Sequence, residues 1–325
     1  MQLIINKKGG SLAVKNGRFW VRVGDQEHFI AANQLKSIEL HAATKVTYEA
    51  IYLSVESQID LQFIDRKGFP FGRIWSNRFG SISTIRKNQV SFAASTAAPD
   101  WIRNTLIRKI ENQLTMVKVL NDRQPNDSDV ANVTSIKIKS YQTKLKKYQV
   151  SDSYDAYATF RGLEGACSKN YFAFINKTIP ALYSFTHRSK HPSRDMFNCL
   201  LNYAYGMLYG KVEAALIKAG IDPFLGIMHR DEYNRPVLTY DFIEVFRFWA
   251  DYVVCHLCFQ EVIYPDFFDI EQGNYWLNSS GKRILIHTFN DYLSEVVSIS
   301  NLSRSRSVHI ELEAQKLASK LKTFT

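Results

Sequence analysis

Cysteine is scarce in this chain, four in 325 residues, and the four do not form a disulfide framework or a metal cluster. Cys167, Cys199, Cys255 and Cys258 fall in stretches that read as helix among aliphatic and aromatic neighbours. Cys255 and Cys258 make one C-x-x-C, but no second pair completes a zinc site and no histidine follows the second cysteine, as haem attachment requires. They read as small buried hydrophobes of a reducing compartment. No apolar run approaches the roughly 20 residues of a membrane span, and the opening Met1-Gln2-Leu3-Ile4-Ile5-Asn6-Lys7-Lys8 has no secretory pattern. A soluble, cytoplasmic prokaryotic protein without membrane association is expected. Internal repeats, long low-complexity segments and a G-x-x-x-x-G-K-[ST] phosphate loop are also missing.

What is present points toward polyanions. Hydrophobic residues make up 46% of the chain, ample for a packed core, and the formal net charge is +10 with a pI near 9.3. Such a surface attracts nucleic acid, through contacts that weaken with salt.

The hydrophobic period changes along the chain and divides it in two. In the first part the period is two. Ser11 to Val23 is a hairpin about Asn16-Gly17, Ser37-Ile38-Glu39-Leu40 is a strand, Tyr48 to Ser57 a short helix, and Ile59 to Ile64 and Phe71 to Trp75 are strands joined by the turn Arg66 to Pro70. Beyond a polar, then Ala/Ser-rich transition the period becomes helical. Ile102, Leu106, Ile110, Leu114, Val117 and Leu120 recur after Pro99-Asp100, Pro125 to Asp129 is a break, and helices follow over about 135–149, 152–178, 195–220, 240–264 and 283–322. The expected fold class is α+β with two domains: a small β-rich N-terminal domain over 1–76, a linker over 77–98, and a larger all-α catalytic domain over 99–325.

Four side chains in the second half are capable of holding a metal ion: Glu164, His229, Asp241 and Glu244. One imidazole with several carboxylates suits Mg²⁺ or Mn²⁺ better than a structural zinc, because hard oxygen donors favour those ions. Asp241 and Glu244, three apart at the start of a predicted helix, would share one face while Phe242, Val245, Phe246, Trp249 and Val253 pack inward. The same D-x-x-E spacing also fits an ordinary solvated helix face. Glu164 sits on a helix with Phe160, Leu163, Cys167 and Tyr171 as its buried stripe, and His229 follows a glycine-containing loop.

The residues around this quartet carry a resemblance. Leu163-Glu164-Gly165 with Tyr171-Phe172, Arg188 to Arg194 with Asn198 to Tyr205, Ala219 to His229, and Leu238 to Arg247 resemble the motifs of the CRISPR-associated adaptation integrase, the endonuclease that inserts new spacers into CRISPR arrays. The resemblance extends to the whole plan of a β-rich N-terminal and a helical C-terminal domain. It implies Glu164, His229 and Asp241 as metal ligands, with Glu244 close by in an auxiliary catalytic place. It further implies Mg²⁺ or Mn²⁺ as cofactor, double-stranded DNA (spacer precursor and CRISPR repeat) as substrate, a homodimer formed through the β domain, and a small adaptation partner of the "Cas two" family bridging two dimers. The implied reaction is attack of a spacer 3′-hydroxyl on an array phosphodiester, or hydrolysis when water attacks. Candidate DNA contacts are Arg188, Lys190, Arg194, Asn202 and Tyr209. A second basic stretch, Lys137 to Lys147 interleaved with Tyr141, fits either phosphate contact or a solvated face. A general metal-dependent nuclease of repair, a non-catalytic DNA scaffold of the same fold, and a hydrolase of small phosphate esters are the competing readings.

Overall fold

The computed structural model describes residues 1–41, 43–74, 83–123, 128–150, 153–190, 192–229 and 233–324. Two four-stranded sheets form the N-terminal domain. The first orders β1 (Gln2–Ile5), β5 (Ser37–His41), β7 (Asp60–Ile64) and β8 (Pro70–Ile74), with β1, β5 and β7 parallel and β8 antiparallel. The second orders β4 (Gln26–Ile30), β3 (Arg18–Val23), β2 (Ser11–Lys15) and β6 (Lys45–Val46). The expected hairpin is there: Asn16 and Gly17 both take positive φ, 51° and 69°, the backbone that a two-residue turn between twisted strands demands. Helix α1 (Tyr48–Glu56) starts at Thr47, whose side chain accepts from the Ala50 amide. Leu12, Phe19, Ile38, Ala50 and Leu61 close the core of this domain.

The segment expected to be a linker instead carries a packed helix, α2 (Ser83–Ala93), which buries Ile85, Gln89 and Phe92. Its apolar spacing is helical, and the Ala/Ser composition that suggested a tether suits close packing equally well. Residues 77–82, Trp75 and Pro125-Asn126-Asp127 of the expected break lie outside the described residues. There follow α3 (Ala97–Arg123), α4 (Ser128–Lys147), α5 (Ser153–Thr178) and α6 (Met196–Lys218). Helix α6 is buried nearly all round, as befits the central helix of a large domain.

Two expectations of long uninterrupted helix are corrected. The 240–264 stretch is α7 (Val237–Phe242), a 3-10 turn at Ile243–Val245 and α8 (Arg247–Phe259). The 283–322 stretch is α9 (Ser279–Ser294), a hairpin of β11 (Val296–Ile299) and β12 (Leu302–Ser305), and α10 (Arg306–Lys322). Ser300 and Asn301, both at positive φ, make the two-residue turn. With a second hairpin, β9 (Phe268–Glu271) and β10 (Asn274–Leu277), the C-terminal domain is mostly rather than wholly α. Among the described residues no helix is long and apolar enough to cross a membrane.

The domains meet where the β7–β8 turn docks on α6. Gly206 permits it: a Cβ there would stand 2.6 Å from the Gly68 carbonyl oxygen. Arg73 of β8 reaches across, pairing with Asp60 at 3.0 Å and Glu213 at 3.4 Å and donating to the Gly210 carbonyl at 3.0 Å. The β9–β10 hairpin clasps the same turn through Arg66 and Glu271, 2.6 Å apart.

Candidate active site

The break between α7 and α8 sends its two carboxylates to different partners. Asp241 is fully buried. Its Oδ2 accepts from the amides of Ile227 at 2.9 Å and Met228 at 3.0 Å, and its Oδ1 accepts from the His229 amide at 3.3 Å and the His229 imidazole Nδ1 at 2.6 Å. Every lone-pair direction of Asp241 therefore serves the loop that carries His229. Gly226 makes that loop possible, since a Cβ there would come within 2.3 Å of the His229 carbonyl oxygen. With Nδ1 donating to Asp241, the neutral imidazole keeps the lone pair of Nε2 for another ligand. The side chain is 37% exposed, so that nitrogen can be reached.

Glu244 turns the other way, toward α3 and α5. Arg247 donates to its Oε1 from Nε at 2.8 Å, and Lys109 of α3 stands 2.5 Å from its Oε2, out of hydrogen-bond alignment. The same ammonium closes on Glu164, whose Oε1 also accepts from Ser168 Oγ at 2.8 Å. Burial alone would raise the pKa of Glu244, but Arg247 and Lys109 outweigh it and hold the carboxyl down to about 2. Burial likewise opposes the charge on Lys109; the carboxylates of Glu244 and Glu164 overcome it and raise the lysine above its ordinary value. Glu244 is thus anionic, and it shares one resident cation with Glu164.

Helix α5 brings the two clusters to one neighbourhood. Tyr157, Arg161, Glu164 and Ser168 follow one another at helical spacing along one face. Arg161 donates to the Met228 carbonyl at 3.1 Å. Burial, then the Asp241 charge, push the Tyr157 hydroxyl up to about 12. Below Glu244 lies a cavity of about 20 Å³ bordered by Lys109, Gln113, Tyr205, Arg247 and Asp251, room for a single water. Asp251 accepts from Tyr205 at 2.6 Å and Tyr171 at 2.9 Å, and the Arg247 guanidinium lies 4.8 Å from the Tyr205 ring.

Of the sequence-level candidates, His229 and Asp241 are in direct contact, and Glu164 and Glu244 are joined through Lys109. As donors, two carboxylates and an imidazole Nε2 fit a hard divalent ion, and the shared ammonium marks a place where positive charge is already held. Among the described residues no three His, Cys, Asp or Glu are grouped closely enough to hold a metal ion, and Lys109 occupies the place between Glu164 and Glu244. The assignment of Asp241 as a direct ligand sits poorly with its saturated, fully buried carboxylate. Glu244 is better placed for that role.

Arg188 and Asn202, read from sequence as DNA contacts, are used internally. Arg188 donates to Asn202 Oδ1 at 2.6 Å and Asn198 Oδ1 at 2.8 Å, and the Asn202 amide donates to the Lys190 carbonyl at 2.9 Å and Ser193 Oγ at 2.7 Å. These bonds pin the basic loop and leave Lys190 and Arg194 exposed; His191 lies outside the described residues. Tyr209 is half-buried, its hydroxyl accepting from Arg247 Nη2 at 2.8 Å. Sequence reasoning missed Lys109, Arg247 and Asp251. The available signal was a charge on an apolar stripe: Lys109 and Gln113 occupy core-facing places among Ile102, Leu106, Ile110 and Val117.

The family described as CRISPR associated protein Cas1 matches residues 3–291. The CRISPR-associated endonuclease Cas1 1 of Archaeoglobus fulgidus is 24% identical over 335 residues, covering 99% of this chain and 96% of the relative. A casposase bound to integration product shares the fold with a TM-score of 0.85 at 22% identity, covering 100% of this chain and 91% of that one. A chain of a Cas6-RT-Cas1–Cas2 complex does so with a TM-score of 0.82 at 22% identity, covering 99% of this chain and 35% of that one.

Proposed function

The chain belongs to the CRISPR-associated protein Cas1 family, and we propose that it is a metal-dependent DNA endonuclease and integrase that joins spacer DNA to a CRISPR array during adaptation. The observation that carries this reading is the convergence of Glu164 and Glu244 on one cation, with Arg161 of the Glu164 helix holding the loop of an imidazole whose Nδ1 is committed to Asp241. A carboxylate behind a histidine fixes the tautomer and aims the other nitrogen, the arrangement that supports a histidine ligand. In this reading Glu164, Glu244 and His229 would hold Mg²⁺ or Mn²⁺, and Asp241 would orient His229 rather than bind the ion. A divalent ion there would neutralise charge on the phosphoryl oxygens and favour ionisation of the attacking hydroxyl. The bond changes balance without an energy source: the spacer 3′-oxygen bonds to phosphorus as the array 3′-oxygen leaves with the proton. With water attacking instead, the same centre cleaves DNA.

The protein's own part is to bind and align. Lys190 and Arg194, exposed on a loop pinned by Arg188 and Asn202, are suited to phosphate contact, and the exposed lysines 137, 139, 144, 146 and 147 of α4 add sequence-independent attraction. The exposed Tyr48, Tyr52 and Phe71 of the N-terminal domain support a homodimer through that domain. Likeness to a chain solved within a Cas1–Cas2 complex is compatible with a small adaptation partner bridging two dimers.

The test is strand transfer of a labelled spacer-like duplex into supercoiled repeat-containing plasmid, with Mn²⁺ or Mg²⁺ and the small partner. Joining by the wild type that chelator, His229→Ala and Glu164→Gln each abolish is the expected result. Cleavage without joining would favour a general nuclease, and full activity of His229→Ala would refute the site.

A further inference from the structure

Four rings run in a row from the N-terminal domain to the His229 loop. Phe69, closing the β7–β8 turn, lies 5.6 Å from Tyr209 between ring centres, tilted by 33°. Tyr209 meets Tyr240 edge to face at 5.3 Å and 84°, and Tyr240 meets His229 at 5.8 Å and 76°. Each separation is one at which aromatic pairs constrain each other's orientation. Tyr209 also touches the other half of the site, because the Arg247 that donates to its hydroxyl donates to Glu244 as well. One phenol therefore contacts both the Arg247–Glu244 pair and the Tyr240–His229 pair, and the ring on its remaining side comes from the other domain.

Phe69 is itself held firmly. Asp65 Oδ1 accepts from the amides of Lys67 and Phe69, both at 2.8 Å, and the Asp65 amide donates to the Phe69 carbonyl at 2.8 Å. Gly68, at φ +89°, would place a Cβ 3.0 Å from the Tyr203 ring, so the turn lies flush against α6 and fixes where the Phe69 ring can go.

We propose that Phe69 is a positioning residue of the catalytic centre: by docking its turn on α6, the N-terminal domain sets Tyr209 and, through it, both Glu244 and His229. This rests on the assignment of that centre made under Proposed function. It follows that domain docking and completion of the site are one event. A chain whose N-terminal domain is displaced would keep every residue of the centre and lose their alignment.

The experiment compares Phe69→Ala and Phe69→Tyr in the full chain with two readouts: steady-state strand transfer, and the imidazole carbon–proton NMR signal of His229, which needs no turnover. For Phe69→Ala the rate at saturating DNA should fall about tenfold or more, as sub-ångström misplacement does, with KM for DNA within about twofold and the His229 signal displaced. Phe69→Tyr, which keeps the ring, should restore most of the rate and the signal. In a Tyr209→Ala background Phe69→Ala should cost little more, since the connection is already cut. An unmoved His229 signal, a loss confined to KM, or full additivity with Tyr209→Ala overturns the proposal. Should Phe69→Ala unfold the N-terminal domain, Phe69→Leu keeps the volume without the aromatic edge, and the same readouts decide. His229→Ala in parallel separates the two readings: joining that survives it removes the site assignment, and the His229 signal then judges the coupling alone.

Discussion

Replacing Lys109 by methionine keeps the length of the side chain and removes the charge that Glu164 and Glu244 share. The side chains of Lys109 and Glu244 are 8% and 7% exposed, while Glu164 is 27% exposed. Glu244 is held near pKa 2 against an ordinary 4.5, and at about 1.4 kcal/mol per unit that is roughly 3 kcal/mol by which Arg247 and Lys109 together exceed the opposing cost of burial. Breaking a buried ion pair by deleting one partner costs about 3–5 kcal/mol. Because Arg247 stays on Glu244 and Glu164 can turn to water, the loss should sit at or below the lower end, about 2–3 kcal/mol. For a helical domain of this size that lowers Tm by roughly 5–10 °C. The assay is thermal unfolding at neutral pH in chelator, repeated with millimolar Mn²⁺. In the variant, the ion should recover at least half the loss by taking the vacated place, and it should shift the wild type less, where the ammonium must first be displaced. An unchanged Tm in chelator refutes the ammonium as the resident neutraliser. A loss that no divalent ion recovers refutes the carboxylate pair as a cation site.

Three further outcomes are expected. Gly206→Ala forces a Cβ to within 2.6 Å of the Gly68 carbonyl oxygen, backbone against backbone, so it should destabilise by about 1–3 kcal/mol and open the domain seam to protease; an unchanged unfolding midpoint and digestion pattern would show the seam to be looser than described. Asp251 is pushed up to about 6 from 3.8 by burial, with the Tyr205 and Tyr171 hydrogen bonds restraining the rise. Its folded pKa therefore exceeds the unfolded one, its stabilising contribution is complete below about pH 4, and about 3 kcal/mol is lost as pH climbs through 6; Asp251→Asn should flatten that part of the stability–pH curve, and parallel curves for the two proteins would contradict the assignment. The double substitution Lys190→Ala with Arg194→Ala should reduce the salt slope of DNA binding by about 2 at unchanged Tm. Arg188→Ala should instead cost about 1.5–3 kcal/mol of stability by stripping charged hydrogen bonds from the loop, and equal effects on Tm from the two variants would erase that division of labour.

Much of the architecture was legible because local signals agreed with the fold. The period-two stretches, the Asn16-Gly17 turn and the apolar stripe from Ile102 to Leu120 each describe a structure that local physics already favours. The errors arose where tertiary contacts decided. Ser83 to Ala93 looks like a tether by composition, yet burial of Ile85 and Phe92 makes it helix. A helical pattern of apolar residues continues through Val296 to Ser305, but Ser300 and Asn301 at positive φ turn that stretch into a hairpin. Lys109 and Asp251 were passed over because each is a single charge on a largely apolar stripe, and the groups that make them matter come from other helices.

The D-x-x-E segment shows how two acids three residues apart can be given different partners. On a continuous helix Asp241 and Glu244 would lie about 60° apart, side by side on one face, competing for the same partner. The 3-10 turn at Ile243–Val245 removes that neighbourhood. Asp241 is carried inward to four N–H donors of the His229 loop, which consume its acceptor capacity and exclude it from solvent. Glu244 is carried toward α3 and α5, where its partners are side-chain cations instead of backbone amides. A carboxylate saturated by backbone can orient but cannot exchange ligands, whereas one balanced by side-chain cations can give them up to an incoming ion. The short break in the helix therefore turns two equivalent acids into one committed to the His229 loop and one balanced by Lys109 and Arg247.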